Sequence, residues 1–167
     1  MISIQDVSYF YNRSKGEQIK KISMEIDKGE IILLCGKSGS GKTTVTKLVN
    51  GLIPHFLEGS LSGYIYINGK NTSQMKIYEI SEQVGSVFQN PKTQFFNLDS
   101  DSELIFGLEN KGALPEEIKK RVSKAVYDLG IEKLLNRNVF KMSGGEKQLL
   151  AIASIYATSP EIYVFDE

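Results

Sequence analysis

The sequence predicts an α/β fold in which a buried strand runs through a glycine-rich loop into a helix. The apolar run IILLC, at residues 31–35, ends in a glycine and is typical of a strand buried on both faces. TTVTKLVN then follows as a short helix, with Gly51 placed to cap its end. From about residue 100 to 158 the chain is predicted to be mainly helical, and EIYVF adds a last strand.

The other elements follow from local signals along the chain. ISIQDVSYF and KKISMEI are strand-like runs, and residues 27–29 supply a turn. YIYIN leads into an Asn-Gly pair, which is a strong hairpin signal. In the helical stretch, Pro115 begins one helix, and Ser143 caps another that ends at Ser159-Pro160. The predicted order is strands, a loop with its helix, a helical insertion and one more strand.

The composition is that of an ordinary globular domain. Hydrophobic residues make up 41% of the 167 residues, and 20 basic residues balance 20 acidic ones. A neutral chain without a basic block gives no sign of nucleic-acid binding. The single cysteine, Cys35, lies in the apolar run and is expected to be a buried small hydrophobe. MISIQDVSYF lacks a signal-peptide pattern and no apolar run is long enough to span a membrane, so any membrane role is expected to come through a partner.

Residues 36–43 match the phosphate-loop pattern G-x-x-x-x-G-K-[ST] at every fixed position, between a predicted strand and a predicted helix. Glycines let backbone N–H groups turn inward around phosphates, and the helix N-terminus adds partial positive charge. Lys42 can reach the β- and γ-phosphates, and the Thr43 hydroxyl can ligate Mg²⁺. We therefore expect ATP and Mg²⁺ as cofactors. The predicted nucleotide-binding residues of the loop are Gly36, Lys37, Ser38, Gly39, Ser40, Gly41, Lys42, Thr43 and Thr44.

A second motif narrows the class of protein. MSGGEKQ, at residues 142–148, places a serine and two glycine amides at a predicted helix start, where they can form an anion site. It lies just before the predicted strand of IYVFDE, which ends in Asp166 and Glu167. In a small kinase or another phosphate-loop enzyme, this motif and its position would be a coincidence. With these motifs in this order, the chain resembles an ATP-binding cassette (ABC) ATPase along its whole length.

The resemblance implies a fold of three parts. These are the RecA-like parallel sheet core of P-loop NTPases, an N-terminal antiparallel β-subdomain and a helical signature subdomain at about residues 97–158. The whole of 1–167 would be one ABC-type ATP-binding domain, incomplete at its C-terminus. The chain ends before the family's D-loop and switch histidine, and His55, the only histidine, lies too early to be that residue. We therefore expect this portion not to hydrolyse ATP alone.

The resemblance also assigns roles to individual residues. Asp166 would hold the Mg²⁺ shell, and Glu167 would act as general base on the attacking water. Gln89, in the Q-loop position after VGSVF, would contact Mg²⁺ or that water. By register with the family pattern, Tyr11 is the candidate for stacking on adenine, ahead of Tyr9. The signature loop would face the γ-phosphate bound by a second subunit, through Ser143, Gly144, Gly145 and Glu146.

Within the superfamily, the chain is most similar to the ATPase subunits of energy-coupling factor transporters, which import vitamins and transition-metal ions. The segments NGLIPHFLEG, VGSVFQNPKTQFFN, SELIFGLEN and MSGGEKQ carry this resemblance. QNPKTQFF departs from the generic pattern where such subunits meet their membrane partner. We expect Phe95 and Phe96 to form a docking surface there, the alternative being that both rings pack inside the helical insertion. Two further departures are Glu146, where the signature most often has Gln, and Leu149, where many members carry Arg.

The leading hypothesis is a cytoplasmic ATPase, peripheral on the inner face of the membrane, that hydrolyses ATP as a dimer and drives an integral membrane partner. Its second ATPase domain could be another copy, a paralogue or a fused domain. The rival class is a soluble ABC ATPase that acts on ribosomes or DNA. Versions that act on DNA insert long coiled coils between the two motifs, and residues 44–141 leave no room for one. The charge balance offers no nucleic-acid patch either.

Overall fold

A computed structural model describes residues 1–12 and 19–166 of the chain. These residues form two compact units, which are taken one at a time below. The first unit contains Met1–Val84 together with Asp166, and the second contains Gly85–Phe165. Glu167, the predicted general base, lies outside the described residues.

A four-stranded antiparallel sheet dominates the first unit. Its strands are β1 (Ile2–Tyr11), β2 (Ile19–Ile26), β3 (Gly59–Ile67) and β4 (Lys70–Asn71), in the order β2-β1-β3-β4. Asn68 and Gly69 both have positive φ, at 49° and 79°, and form the predicted Asn-Gly turn between β3 and β4. The expected N-terminal antiparallel β-subdomain is therefore present.

A bulge in β1 changes which of its side chains face the core. Ile2 and Ile4 are buried before it, and Val7 and Tyr9 are buried after it, so the buried positions shift by one residue. Asp6 lies at the irregularity with φ of 47°. The opposing residue on β3 is Gly63, where a Cβ would lie 2.4 Å from the carbonyl oxygen of Gln5. The bulge therefore requires a glycine at this position of β3.

The described part of the first unit also contains three α-helices and a 3₁₀ turn at Thr72–Gln74. Helix α1 spans Lys42–Val49, α2 is a single turn at Leu52–His55, and α3 spans Ile77–Gln83. Between α1 and α2, Gly51 has φ of 78°, a left-handed conformation that suits its predicted place at the end of α1. His55 contacts the carbonyl oxygen of Thr72 through Nε2 at 3.0 Å, which gives the ring a structural role.

The strand predicted for IILLC is wrong for this structure. Residues 31–37 are in neither strand nor helix, and Ile31 and Leu33 are 96% and 83% exposed. Cys35 is also exposed, so its expected burial is wrong as well. An apolar run becomes a buried strand only when neighbouring strands pair with its backbone and cover both faces. Among the described residues, no strand pairs with this segment.

The second unit combines a small sheet with three helices. Strand β5 (Val84–Val87), whose first residue closes the first unit, pairs with β6 (Ile162–Phe165). Helices α4 (Ser100–Asn110), α5 (Pro115–Leu129) and α6 (Gly144–Thr158) pack on each other. Their shared core contains Leu104, Val126, Ile131, Leu134, Val139, Met142, Leu150 and Ala153, with Leu149 packed against it. The β5–β6 pair is the second sheet among the described residues.

The ends of the long helices are where the sequence predicts them. Helix α5 begins at Pro115 and is followed by Gly130, whose φ of 61° is left-handed. Helix α6 is capped by Ser143 and is followed by Ser159, with φ of 50°, and then by Pro160. Each signal is local in sequence, because a cap depends on residues within one helical turn.

Candidate nucleotide-binding site

The glycine-rich loop leads directly into α1. Gly39 and Gly41 have φ of 78° and 96°, a conformation in which a side chain would be strained. The Ser40 N–H donates to the carbonyl oxygen of Lys37 at 3.1 Å, and a Cβ on Gly36 would lie 2.7 Å from the Ser40 hydroxyl oxygen. Residues 36–40, including Ser38, are exposed. The loop is therefore tightly turned and open to solvent, as a backbone cradle for phosphate must be.

Lys42 bends back across this loop from the first position of α1. Its Nζ donates to the carbonyl oxygens of Gly36 at 3.0 Å and Lys37 at 3.2 Å. These bonds hold the ammonium group beside the loop and at the N-terminal end of the helix. The positive charge thus lies where the helix dipole already favours an anion.

Thr43 and Asp166 are brought into direct contact. The Thr43 hydroxyl donates to Oδ1 of Asp166 at 3.0 Å. A hydroxyl and a carboxylate are hard oxygen donors, and Mg²⁺ binds through such groups while keeping several of its waters. Among the described residues there is no group of three or more His, Cys, Asp or Glu that could hold a metal alone. The pair therefore fits a metal ion whose other ligands come from phosphate and water.

Tyr11 and Tyr9 occupy different environments. Tyr9 is fully buried, and its hydroxyl donates to the carbonyl oxygen of Leu57 at 3.1 Å. Burial and the neighbouring Tyr11 raise the pKa of the Tyr9 hydroxyl. Tyr11 is half-buried, packs edge-on to Tyr9 with ring centroids 4.8 Å apart, and has its hydroxyl 3.4 Å from that of Thr44. Of the two rings, Tyr11 is the one that is not enclosed by the core.

The signature loop forms a complete capping box at the start of α6. The Ser143 hydroxyl accepts from the Glu146 N–H at 3.3 Å, and the Glu146 carboxylate accepts from the Ser143 N–H at 2.7 Å. Gly144 and Gly145 are exposed, and a Cβ on either would have no atom within 4 Å. They are the first two residues of a 15-residue helix, where backbone amides have no partner within the helix.

Arg137 contacts this loop, and the sequence analysis did not identify it. Its guanidinium bonds to Glu146, which, with the Ser143 N–H, lowers the pKa of that carboxyl to about 2. Residues 138–141 separate Arg137 from the motif, and no spacing rule links the two. Only the fold shows that they meet.

Gln89 is exposed on the loop that follows β5, and a nearby glutamine holds that loop in shape. The Gln94 carboxamide accepts from the Phe88 N–H and donates to the Ser86 carbonyl oxygen, both at 3.1 Å. The Gln94 side chain thus bonds one N–H and one carbonyl of the backbone at the end of β5, as the backbone of a neighbouring strand would. The repeated glutamine in QNPKTQFF was visible in the sequence, but its role was not.

The two phenylalanines that were expected to be exposed lie in different environments. Phe95 packs against the helical core of the second unit, whereas Phe96 is 78% exposed and stacks on Phe106 with centroids 4.9 Å apart. The buried Glu103 carboxylate accepts from the N–H groups of Phe96 at 3.1 Å and Asn97 at 2.9 Å. This anchor fixes the backbone at Phe96 and Asn97. The prediction is wrong for Phe95, which is partly buried and packs against the helical core, as the alternative had it.

The described residues contain no helix that is long and apolar enough to cross a membrane.

The family model described as ABC transporter matches residues 19–167. A protein of Treponema denticola, provisionally named an ABC transporter ATP-binding protein, is 53% identical over all 167 residues. A similarly named protein of Methanosarcina mazei is 40% identical over the same length. The aligned part makes up 34% and 28% of these relatives, so the chain spans about a third of their length or less.

Solved structures show the same fold. The structure of cbiO1 from Clostridium perfringens, described as part of the ABC transporter complex cbiONQ, matches with a TM-score of 0.82 and 32% identity. The match covers 99% of this chain and 64% of that one. The ATP-binding cassette MJ0796, in a dimeric post-hydrolysis state bound to ADP and Pi, matches with a TM-score of 0.83 and 26% identity. That match covers 100% of this chain and 74% of the other, and together the two confirm the predicted P-loop ATPase fold.

Proposed function

The chain belongs to the ABC transporter ATP-binding family, and on that premise we propose that it binds and hydrolyses Mg-ATP to energise transport through an integral membrane partner. The observation that carries the proposal is the contact between Thr43 and Asp166. It joins the end of the glycine-rich loop to the residue in the Mg²⁺-binding position at the end of β6. Two motifs far apart in sequence therefore supply oxygen donors to one place.

Each part of the site has a task that follows from its chemistry. The loop amides and the Lys42 ammonium bind phosphate oxygens, because both present positive charge to the same small volume. Thr43 and Asp166 hold the metal shell. Bound Mg²⁺ supplies charge neutralisation for the phosphoryl group that leaves ATP. Tyr11 stacks on the adenine from the β1 side of α1.

The residues proposed to act on the attacking water are Glu167 and Gln89. Glu167 follows Asp166 directly and takes the water's proton as general base. Gln89, exposed after β5, orients that water or contacts the metal. The signature loop presents the amides of its exposed glycines to nucleotide held by a second ATPase domain, so two domains are needed for a complete cycle.

The membrane partner is proposed to dock on the surface around Phe96. An aromatic ring that is 78% exposed, on a backbone fixed by the buried Glu103, suits a rigid contact with another protein. We assign the chain to the energy-coupling factor type because QNPKTQFF builds this surface. The likeness to cbiO1, a component of the complex cbiONQ, supports a role as one subunit of a larger transporter. The protein would then work at the cytoplasmic face of the membrane.

The direct test is calorimetric titration of the full-length gene product with Mg-ATP. Lys42→Ala removes the ammonium from the loop and should weaken binding by about 2 kcal/mol, the scale of a charge-assisted hydrogen bond. Lys47→Ala, at the other end of α1, is the matched control and should bind like the parent. Equal affinity of the parent and Lys42→Ala would overturn the assignment.

A further inference from the structure

Arg137 reaches the start of α6 from the segment that precedes the signature loop. Its Nη1 donates to Oε1 of Glu146 at 2.5 Å, while Oε2 of the same carboxylate accepts from the Ser143 N–H at 2.7 Å. The two oxygens of Glu146 are therefore divided between the guanidinium and the helix cap. The side chains of Arg137 and Glu146 are 39% and 33% exposed, so the pair lies at the surface where the loop opens to solvent.

The backbone of Arg137 is fixed independently of its side chain. The Arg137 N–H donates to the hydroxyl of the buried Ser100 at 3.1 Å, and its carbonyl oxygen accepts from the Ser100 N–H at 3.0 Å. The Val139 N–H donates to the carbonyl oxygen of Leu98 at 2.8 Å, which ties the next residues to the start of α4 as well. The guanidinium thus extends from a fixed base, and its removal should leave the segment in place.

The negative charge of Glu146 lies close to the place where the loop that it caps would bind a phosphate. Gly144 and Gly145 are exposed at the N-terminus of α6, where the free backbone amides attract anions. The carboxylate of Glu146 lies within the same helical turn and would repel a phosphate unless its charge were offset. Lys147 does not supply the offset, because its ammonium is held by the carbonyl oxygens of Phe140 and Met142, at 3.2 and 2.8 Å. Arg137 is the cation that bonds to the carboxylate.

We propose that Arg137 is a positioning residue of the signature loop, which holds and neutralises the Glu146 carboxylate so that the amides of Gly144 and Gly145 can receive a nucleotide phosphate. The inference rests on the proposed function, because the nucleotide is the one bound by a second ATPase domain. In this arrangement the carboxylate strengthens the cap without repelling the phosphate. The partner for the loop is the γ-phosphate end of ATP, since ADP lacks the group that would reach it.

The test measures how tightly the two domains retain nucleotide, and it does not depend on hydrolysis. A fluorescent non-hydrolysable ATP analogue is bound to the full-length gene product with Mg²⁺, and its release is followed after excess unlabelled analogue is added. Arg137→Gln should release the analogue roughly three- to tenfold faster, because the unpaired carboxylate then repels the phosphate at close range. The double variant Arg137→Gln/Glu146→Gln should release it at the rate of Glu146→Gln alone, because no charge remains to be offset.

Three controls test whether faster release is specific to the charge of Arg137. Arg121→Gln removes another arginine of the second unit that pairs with a glutamate, and should release the analogue at the parent rate. Arg137→Lys keeps the charge on the same anchored backbone and should remain within about twofold of the parent. Affinity for fluorescent ADP should be equal in all variants, because the glycine-rich loop is unchanged.

The possible failures can be told apart. If the parent does not bind the analogue at all, both the proposed function and the inference are wrong. If the parent retains the analogue and Arg137→Gln retains it equally well, the function stands and the role of Arg137 is wrong. Release from the double variant as fast as from Arg137→Gln, or equally fast release from Arg137→Lys, would show that Arg137 does not act by neutralising Glu146.

Discussion

The hydroxyl of Thr43 and the carboxylate of Asp166 share a hydrogen bond of 3.0 Å. Thr43 ends the glycine-rich loop, and Asp166 follows the last strand of the described chain. A threonine hydroxyl has many alternative acceptors, including the carbonyl of its own helix, which Thr46 uses. That Thr43 instead donates to Asp166 brings a hydroxyl oxygen and a carboxylate oxygen together, and both are groups that would hold the shell of a Mg²⁺ ion.

Removing the oxygen donors of this pair should weaken metal-dependent binding. Thr43→Val keeps the shape of the side chain but has no hydroxyl, and Asp166→Asn loses the charge. Each should reduce the affinity for Mg-ATP roughly 10- to 100-fold, the value of a hydrogen bond or ligand contact that involves charge. ATP affinity measured in the presence of a Mg²⁺ chelator should change much less. Calorimetry of the full-length gene product with and without Mg²⁺ checks both statements.

The control for this experiment is Thr46→Val, one turn further along α1. The Thr46 hydroxyl donates to the carbonyl oxygen of Thr43 and not to Asp166. Its loss should leave Mg²⁺ dependence as in the parent. If Thr43→Val and Thr46→Val behave alike, Thr43 is a helix residue and not a metal ligand.

Glu167→Gln should separate binding from turnover. The amide keeps the size of the side chain but cannot accept the proton of the attacking water. ATP should still bind, and hydrolysis by the full-length gene product should fall by at least about a hundredfold, the lower range for loss of a general base. Steady-state phosphate release and ATP retention on a desalting column measure the two properties. Hydrolysis at the parent rate would assign the base to another residue.

The parts of the site that the sequence predicted depend on local chemistry. The turned loop needs glycines at Gly39 and Gly41, and the α6 cap needs Ser143 and Glu146 within one turn. Such features are encoded in a few consecutive residues. Pro115 and Gly130 mark the ends of α5 for the same reason.

The features that the sequence did not predict depend on neighbours distant along the chain. The apolar run at 31–35 reads as buried, but burial requires pairing strands that the pattern itself cannot supply. Phe95 and Phe96 are chemically identical, and only the anchor at Glu103 and the helical core decide which one is exposed. The pairing of Arg137 with Glu146 likewise follows from the attachment of its segment to Ser100.

The ion pair at the signature loop should make stability depend on pH. Arg137, and then the Ser143 N–H, lower the pKa of Glu146 from 4.5 to about 2. A carboxyl whose pKa is lower in the folded state stabilises the fold above its unfolded pKa, and that contribution is lost as the pH falls toward the folded value. The free energy of unfolding of the parent relative to Glu146→Gln should therefore be constant above pH 4.5 and should decline between 4.5 and 2.

Urea denaturation of both proteins at several pH values measures this difference. In an Arg137→Gln background the decline should be smaller and should end closer to pH 4.5, because the main cause of the lowered folded-state pKa has been removed. An identical pH profile with and without Arg137 would mean that the pair in the structure has no energetic coupling.

The two phenylalanines of QNPKTQFF should respond oppositely to substitution. Phe96→Ser removes a ring that is 78% exposed, so it should barely change the melting temperature. It should abolish co-purification with the membrane subunit if that ring docks the partner. Phe95→Ser removes a ring that packs against the helical core, and should cost roughly 2 kcal/mol of stability and several degrees in melting temperature.

Tyr127→Ser is the matched control for both variants. Tyr127 is an aromatic residue that is 81% exposed elsewhere in the same unit, and its replacement should affect neither property. Co-purification that survives Phe96→Ser would place the docking surface elsewhere, whereas a large loss of stability in that variant would show that its stacking on Phe106 is structural.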